Sequence, residues 1–271
     1  MDMAIRSPGS LRMRHLLSLY SFRDLLALWT AREVRVRYKQ SMLGIAWAVL
    51  QPLALTAIFT LVFSRLVHID TGDIPYPVFA YTALVPWTFF ATSISFGVPS
   101  LVNNLNLVTK IYFPREVLPL ASIGAALLDF AIAFLIFALM LAVYRLSLSW
   151  YALWFIPLLA TQVVLTIGVV LIGSAVIVFF RDVRFVVPLL IQVWMYASPV
   201  IYPVEMVPER LQPLYFLNPM AGIIDGYRRA LLMGEAPRPE ALFAAVIISL
   251  VLLVVGYALF KRVEPLFADL I

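Results

Sequence analysis

Arg35, Arg37 and Lys39 crowd into the stretch RVRYKQSMLGIAWAVLQPL, and from Gln40 to Ser64 the chain then carries no charge. Three cations at the foot of a long apolar run can hold an anionic group at a membrane edge. A lipid-linked diphosphate is one such group. Arginine suits it, because the planar guanidinium takes phosphate oxygens two at a time through charge-assisted hydrogen bonds. The same cations would equally serve topology and attraction to anionic lipid, and residue types alone leave both readings open. Just beyond them, Gly44 permits close approach of another helix. Trp47 and Gln51 follow one turn apart, and Pro52 loosens the backbone ladder.

Aromatic rings stack on the C–H faces of sugars, while amides and phenols bond their hydroxyls. Trp47, Gln51, Leu55, Phe59 and Phe63 recur every four residues on one helical face. Gln192, Tyr196 and Pro199 form a second stripe, with Trp194, Ser198 and Tyr202 beside it. A glutamine inside an apolar segment should face protein or water rather than lipid. The aromatics would also suit lipid-facing packing or an interfacial belt. These residues are therefore candidates for lining a pathway through the membrane.

Other chemistry is excluded or unsupported. The chain has no cysteine, so disulfides and thiolate metal sites are ruled out. His15 and His68 are far apart and have no metal-ligand spacing. No catalytic, cofactor-binding or metal-ligating set is expected. No glycine is followed by lysine, so the G-x-x-x-x-G-K-[ST] phosphate loop is missing and ATP hydrolysis would fall to another chain. Asp129 is the lone acid within an apolar segment, where a carboxylate is costly without a partner.

The elements that carry these residues follow from composition. Of 271 residues, 63% are hydrophobic and only 13% charged, with a mean hydropathy of +0.97. A soluble domain is about half apolar and a quarter charged. The expected fold is an all-α membrane protein with six transmembrane helices, at about 42–66, 75–101, 117–144, 151–180, 185–203 and 241–260. Residues 1–40 form a cytoplasmic tail with an amphipathic helix in the headgroup plane. Residues 41–271 form the six-helix domain. Pro213 and Asn218-Pro219 break the apolar stretch at 211–224, which reads as an interfacial loop or a short re-entrant segment after the fifth helix. No cleavable signal peptide is expected. With six spans, fourteen of the twenty Lys and Arg residues fall on the side that holds both termini. Both ends are therefore expected in the cytoplasm, in an inner-membrane protein. The net charge of +5 then needs no nucleic acid.

Four phrases in order resemble the ABC-2-type permeases of polysaccharide exporters, those for O-antigen, capsule and teichoic acid. They are RVRYKQSMLGIAWAVLQPL, VPWTFFATSISFGVPSLVNNLNLVTKIYFPREVLP (85–119), FFRDVRFVVPLLIQVWMYASPVIYP (179–203) and LNPMAGIIDGYRRALL (217–232). The resemblance covers nearly the whole chain from about residue 20. It implies a homodimer, a gate after the fifth helix, and two copies of a cytoplasmic ATPase that hold the ATP–Mg. It also implies an undecaprenyl-diphosphate-linked polysaccharide as cargo. No cofactor is expected on this chain. Arg35, Arg37 and Lys39 would then form the lipid-diphosphate entrance. Trp47, Gln51, Phe59, Gln192, Trp194, Tyr196 and Tyr202 would line the pathway. Lys110, Tyr112 and Arg115, between the second and third helices, would meet the ATPase. Two other readings stand beside this one. One is an ABC-2 permease for a drug or smaller lipid. The other is an intramembrane transferase on polyprenyl phosphate, which should show acidic or histidine clusters that this chain lacks.

Overall fold

A computed structural model describes residues 23–39, 41–67, 69, 71–110 and 113–267. Among the described residues every regular element is helical. Helix α1 spans Arg23–Tyr38. The chain then turns through Gly44, whose φ of 52° lies in the left-handed region that favours glycine. Helix α2, Trp47–Phe59, continues into a wider π-type turn, Thr60–Leu66. Helix α3 is Tyr76–Gly97, with Pro77 in its first turn, where a missing N–H costs nothing. Two short helices follow, α4 (Ser100–Asn103) and α5 (Leu105–Lys110). They lead to α6 (Val117–Val143), α7 (Phe155–Phe179) and α8 (Val183–Tyr196). Helices α9 (Gln212–Tyr215) and α10 (Pro219–Arg228) precede α11 (Pro239–Val263).

Five helical segments are long and apolar enough to cross a membrane: Gly44–Ser64, Tyr76–Gly97, Val117–Val143, Trp150–Phe179 and Pro239–Leu266. The segment expected at 185–203 is shorter. Helix α8 has 14 residues, about 21 Å at 1.5 Å per residue, against a hydrocarbon core of about 30 Å. Its end has a physical cause. Beyond Tyr196 the chain leaves the helix, and the Arg228 guanidinium takes the carbonyls of Pro199, Val200 and Tyr202 at 2.5, 2.8 and 3.0 Å.

Helix α3 is the axis of the fold. Sixteen of its 22 residues are buried, which is why its apolar side chains need no polar face. Helix α10 is buried along its whole length, as backbone in a re-entrant segment would require. Helix α2 buries only Pro52 and Thr56, and α8 buries nothing. Gln162 of α7 cross-links the centre. Its Nε2 donates to Pro86 O of α3 at 2.6 Å, and its Oε1 accepts from Tyr227 of α10 at 3.1 Å.

Helices α7 and α11 approach backbone to backbone. A Cβ on Gly168 would stand 2.6 Å from Leu252 C and from Leu253 N, and one on Gly256 would stand 2.5 Å from Gly168 O. Between apolar helices in lipid, association depends on such contact, because tails are as apolar as leucine. Gly168→Val and Gly256→Val should each lower stability by at least about 1–3 kcal/mol, since backbone cannot step aside as a side chain can. Gly173→Ala, whose Cβ would meet only the Val98 side chain, should cost less. Thermal midpoints of the solubilised protein would show this order; an unchanged midpoint for Gly168→Val would contradict the packing.

Candidate functional site

Residues two apart on a helix point to opposite faces, and this separates the three N-terminal cations. Arg35 is exposed, as is Lys39 just past the end of α1. Arg37 turns inward, and its side chain is only 7% exposed. Its Nη1 donates to Asp129 Oδ2 at 3.2 Å, and its Nη2 donates to Ser122 O at 3.0 Å. Its guanidinium carbon stands 4.1 Å from the centre of the Phe96 ring. Tyr38 adds a 2.7 Å bond from its hydroxyl to Asp129 Oδ1. Burial pushes the Arg37 guanidinium below its usual range, and the Asp129 charge opposes that. Asp129, the lone acid within α6, thus obtains both its partners from α1 and clamps that helix to α6.

Beside this clamp lies a cavity of about 220 Å³ between α1, α2, α3 and α6. Trp47 and Gln51 line it from the first two turns of α2, and Thr88, Thr92 and Phe96 from α3. The walls combine aromatic faces, hydroxyls, an amide and an ion pair. That set can stack on a sugar ring and hydrogen-bond its hydroxyls. Arg37 is already neutralised by Asp129, so positive charge available to a phosphate rests mainly with Arg35 and Lys39.

The remaining pathway candidates separate. Phe59 packs against the core beside Phe63, with ring centres 5.9 Å apart. Gln192 and Tyr196 lie on the exposed face of α8. Trp194 turns inward instead: its ring meets Phe90 edge-on at 5.0 Å, and its Nε1 donates to Asn218 Oδ1 at 2.8 Å. The Tyr202 hydroxyl lies 3.1 Å from Tyr196 O, to which it donates, and 3.0 Å from the Tyr215 hydroxyl. These contacts tie the end of α8 to the segment around α10.

Residue type and spacing do not single out three further residues in that region. Arg228 is fully enclosed, its guanidinium carbon 3.6 Å from the centre of the Phe79 ring. Arg238 bridges Glu205 at 2.6 Å and Asp225 at 3.3 Å. Burial pushes the Asp225 carboxyl up to about 6, against the pull of Arg238.

Among the expected docking residues, Tyr112 and the Lys110 side chain lie outside the described residues. Arg115 is held to the end of α11. Its backbone N–H reaches Glu264 Oε1 at 3.2 Å, and its guanidinium donates to Glu264 O.

The clamp is testable apart from transport. Arg37→Met leaves the part-buried Asp129 carboxylate without its cation, a loss below the roughly 3–5 kcal/mol of a fully buried pair, because that side chain keeps 18% of its surface exposed. Arg37→Met with Asp129→Leu removes both charges and should recover most of that loss. A double-mutant cycle on thermal midpoints measures the coupling; additive effects would mean that the pair contributes nothing.

Comparison with known proteins places this arrangement. Residues 24–232 match the ABC-2 type transporter family. An O-antigen export system permease protein RfbA of Klebsiella pneumoniae is 34% identical over 97% of this chain and all of its own length. The protein of that name from Myxococcus xanthus is 28% identical over 93% of this chain and 96% of its own length. The polysialic acid transport protein KpsM of Escherichia coli is 26% identical over 86% of this chain and 91% of its own. The match takes in α1 through α10, and with them the clamp, the cavity and the segment bound by Arg228. The chain belongs to the ABC-2 type transporter family, as a transporter permease subunit and not an enzyme.

Proposed function

We propose that this chain is the transmembrane subunit of an ATP-driven exporter that moves lipid-linked polysaccharide, O-antigen-like, across the inner membrane. The observation that carries the reading is the near full-length likeness to permeases named for O-antigen export. The cavity beside the clamp supports it, because its aromatic and hydroxyl-rich walls suit a sugar. Two copies of the chain pair with two copies of a cytoplasmic ATPase, which hold ATP–Mg. The cargo is carried on undecaprenyl diphosphate.

In this reading α8 and the chain just beyond it make a sixth crossing, so both termini lie in the cytoplasm, and α1 lies at the inner headgroup layer. Arg35 and Lys39 meet the diphosphate in water. Arg37 holds the entrance wall by its bond to Asp129. Trp47 and Gln51 then receive the first sugars. Gln192 and Tyr196, on the open face of α8, line the route farther on, and the segment bound by Trp194, Tyr202 and Arg228 forms the outer gate. Residues 103–118, with Lys110, Tyr112 and Arg115, present the surface on which the ATPase docks.

The purified chain alone should hydrolyse no ATP, and activity should appear when the partner ATPase is co-expressed. Hydrolysis by the lone chain would overturn the reading. For the entrance, Arg35→Gln with Lys39→Gln should weaken capture of lipid diphosphate about three- to thirtyfold. That figure takes roughly 1.5–3 kcal/mol per charge-assisted bond and discounts it for water at an exposed site. Export at limiting substrate, at matched membrane levels, gives the measurement. Wild-type export would leave these cations with topology and lipid attraction alone.

A further inference from the structure

Glu116 is 2% exposed, yet it is a carboxylate. Its Oε1 lies 2.7 Å from Lys261 Nζ, near the end of α11. The same ammonium lies 2.9 Å from Glu264 Oε2. Glu264 in turn accepts from the backbone N–H of Arg115. Four charged residues from two distant parts of the chain thus interlock. One pair, Arg115 and Glu116, lies within the proposed docking segment. The other, Lys261 and Glu264, ends α11.

Apolar packing continues the same joint. Leu101 of α4, Val108 of α5 and Leu118 at the start of α6 share a buried cluster with Leu171 and Ala175 of α7 and with Phe260 of α11. Helices α7 and α11 are themselves in backbone contact at Gly168 and Gly256. Hence the segment 103–118 cannot shift without either carrying α7 and α11 along or breaking a buried ion pair. Interlocked charges with short, specific geometry resist sliding in a way that apolar packing does not. Helices α2 and α8, by contrast, fully bury few or no residues, although Trp194 holds α8 to Phe90 and Asn218.

The geometry points to Glu116, Lys261 and Glu264 as positioning residues that pass the displacement of the docking segment to α11, and through its glycine contact to α7. The inference rests on the reading that a separate ATPase docks on 103–118. It adds the route by which the stroke reaches the membrane helices.

The test uses the co-expressed complex and reads two quantities: ATP hydrolysis and export per ATP hydrolysed. Glu116→Gln with Lys261→Met removes the pair without leaving either charge unpaired. ATPase association and hydrolysis should persist, while export per ATP falls about tenfold, within the five- to 150-fold range of couplings between sites. Lys261→Arg keeps the cation and should keep the wild-type ratio, which a generally weakened protein would not show. An unchanged ratio in the double variant overturns the inference. Where that variant fails to accumulate, Glu264→Gln decides. It leaves Glu116 and Lys261 in place and removes the negative charge that Glu264 presents to Lys261 and to the Arg115 N–H, so a lowered ratio supports the route and a wild-type ratio overturns it. Absence of a copurifying ATPase with the unaltered chain would instead overturn the docking reading, and the inference with it.

Discussion

A charge removed from water must be met inside the protein, and in a chain this apolar that requirement shapes the structure. An isolated ion in a low-dielectric interior is too costly to keep. Each buried charge here therefore ties together parts of the chain that lie far apart in sequence. Arg37 and Asp129 bring α1 onto α6. Arg228 brings α10 onto the carbonyls beyond α8. Glu116 and Lys261 bring the loop after α5 onto the end of α11. The three ties lie in different places, and each sets where a helix begins, ends or turns.

Between these ties the helices differ in how firmly they are held. Helix α3 is enclosed by neighbours, and α7 and α11 touch through their backbones. Helices α2 and α8 present leucines, isoleucine and valine outward, including Leu50, Ile58, Leu189, Leu190 and Val193. For a single soluble chain that surface would be a liability. In a membrane protein it can face lipid or another chain. The firm helices supply a frame, and the loosely held pair carries most of the candidate pathway side chains.

The cavity beside the Arg37–Asp129 clamp follows from this division. Helix α2 enters the bundle after the turn at Gly44 and fully buries only Pro52 and Thr56, with Leu53, Leu55 and Phe59 packed part-buried against the core. Space remains between its first two turns and the clamp, and Trp47, Gln51 and Thr92 face into it. A closely packed α2 would close that space. Loose packing at one helix is thus what leaves a polar recess next to a buried ion pair.

The sequence by itself determined the class of fold. Apolar runs of spanning length must satisfy their own backbone hydrogen bonds in lipid, which leaves helices as the simplest solution. Four ordered phrases were enough to identify the family. Asp129 was legible as a group in need of a partner. Tertiary structure alone decided that the partner is Arg37 and not Arg35, because their helical phase turns one inward and the other outward. It also decided that Trp194 faces the core while Tyr196 does not, and that α8 stops at Tyr196 where Arg228 captures the carbonyls beyond it. The Glu116–Lys261 pair spans 145 positions of chain. No local pattern encodes such a contact, since it exists only once helices far apart in sequence have packed and their charges must be paired.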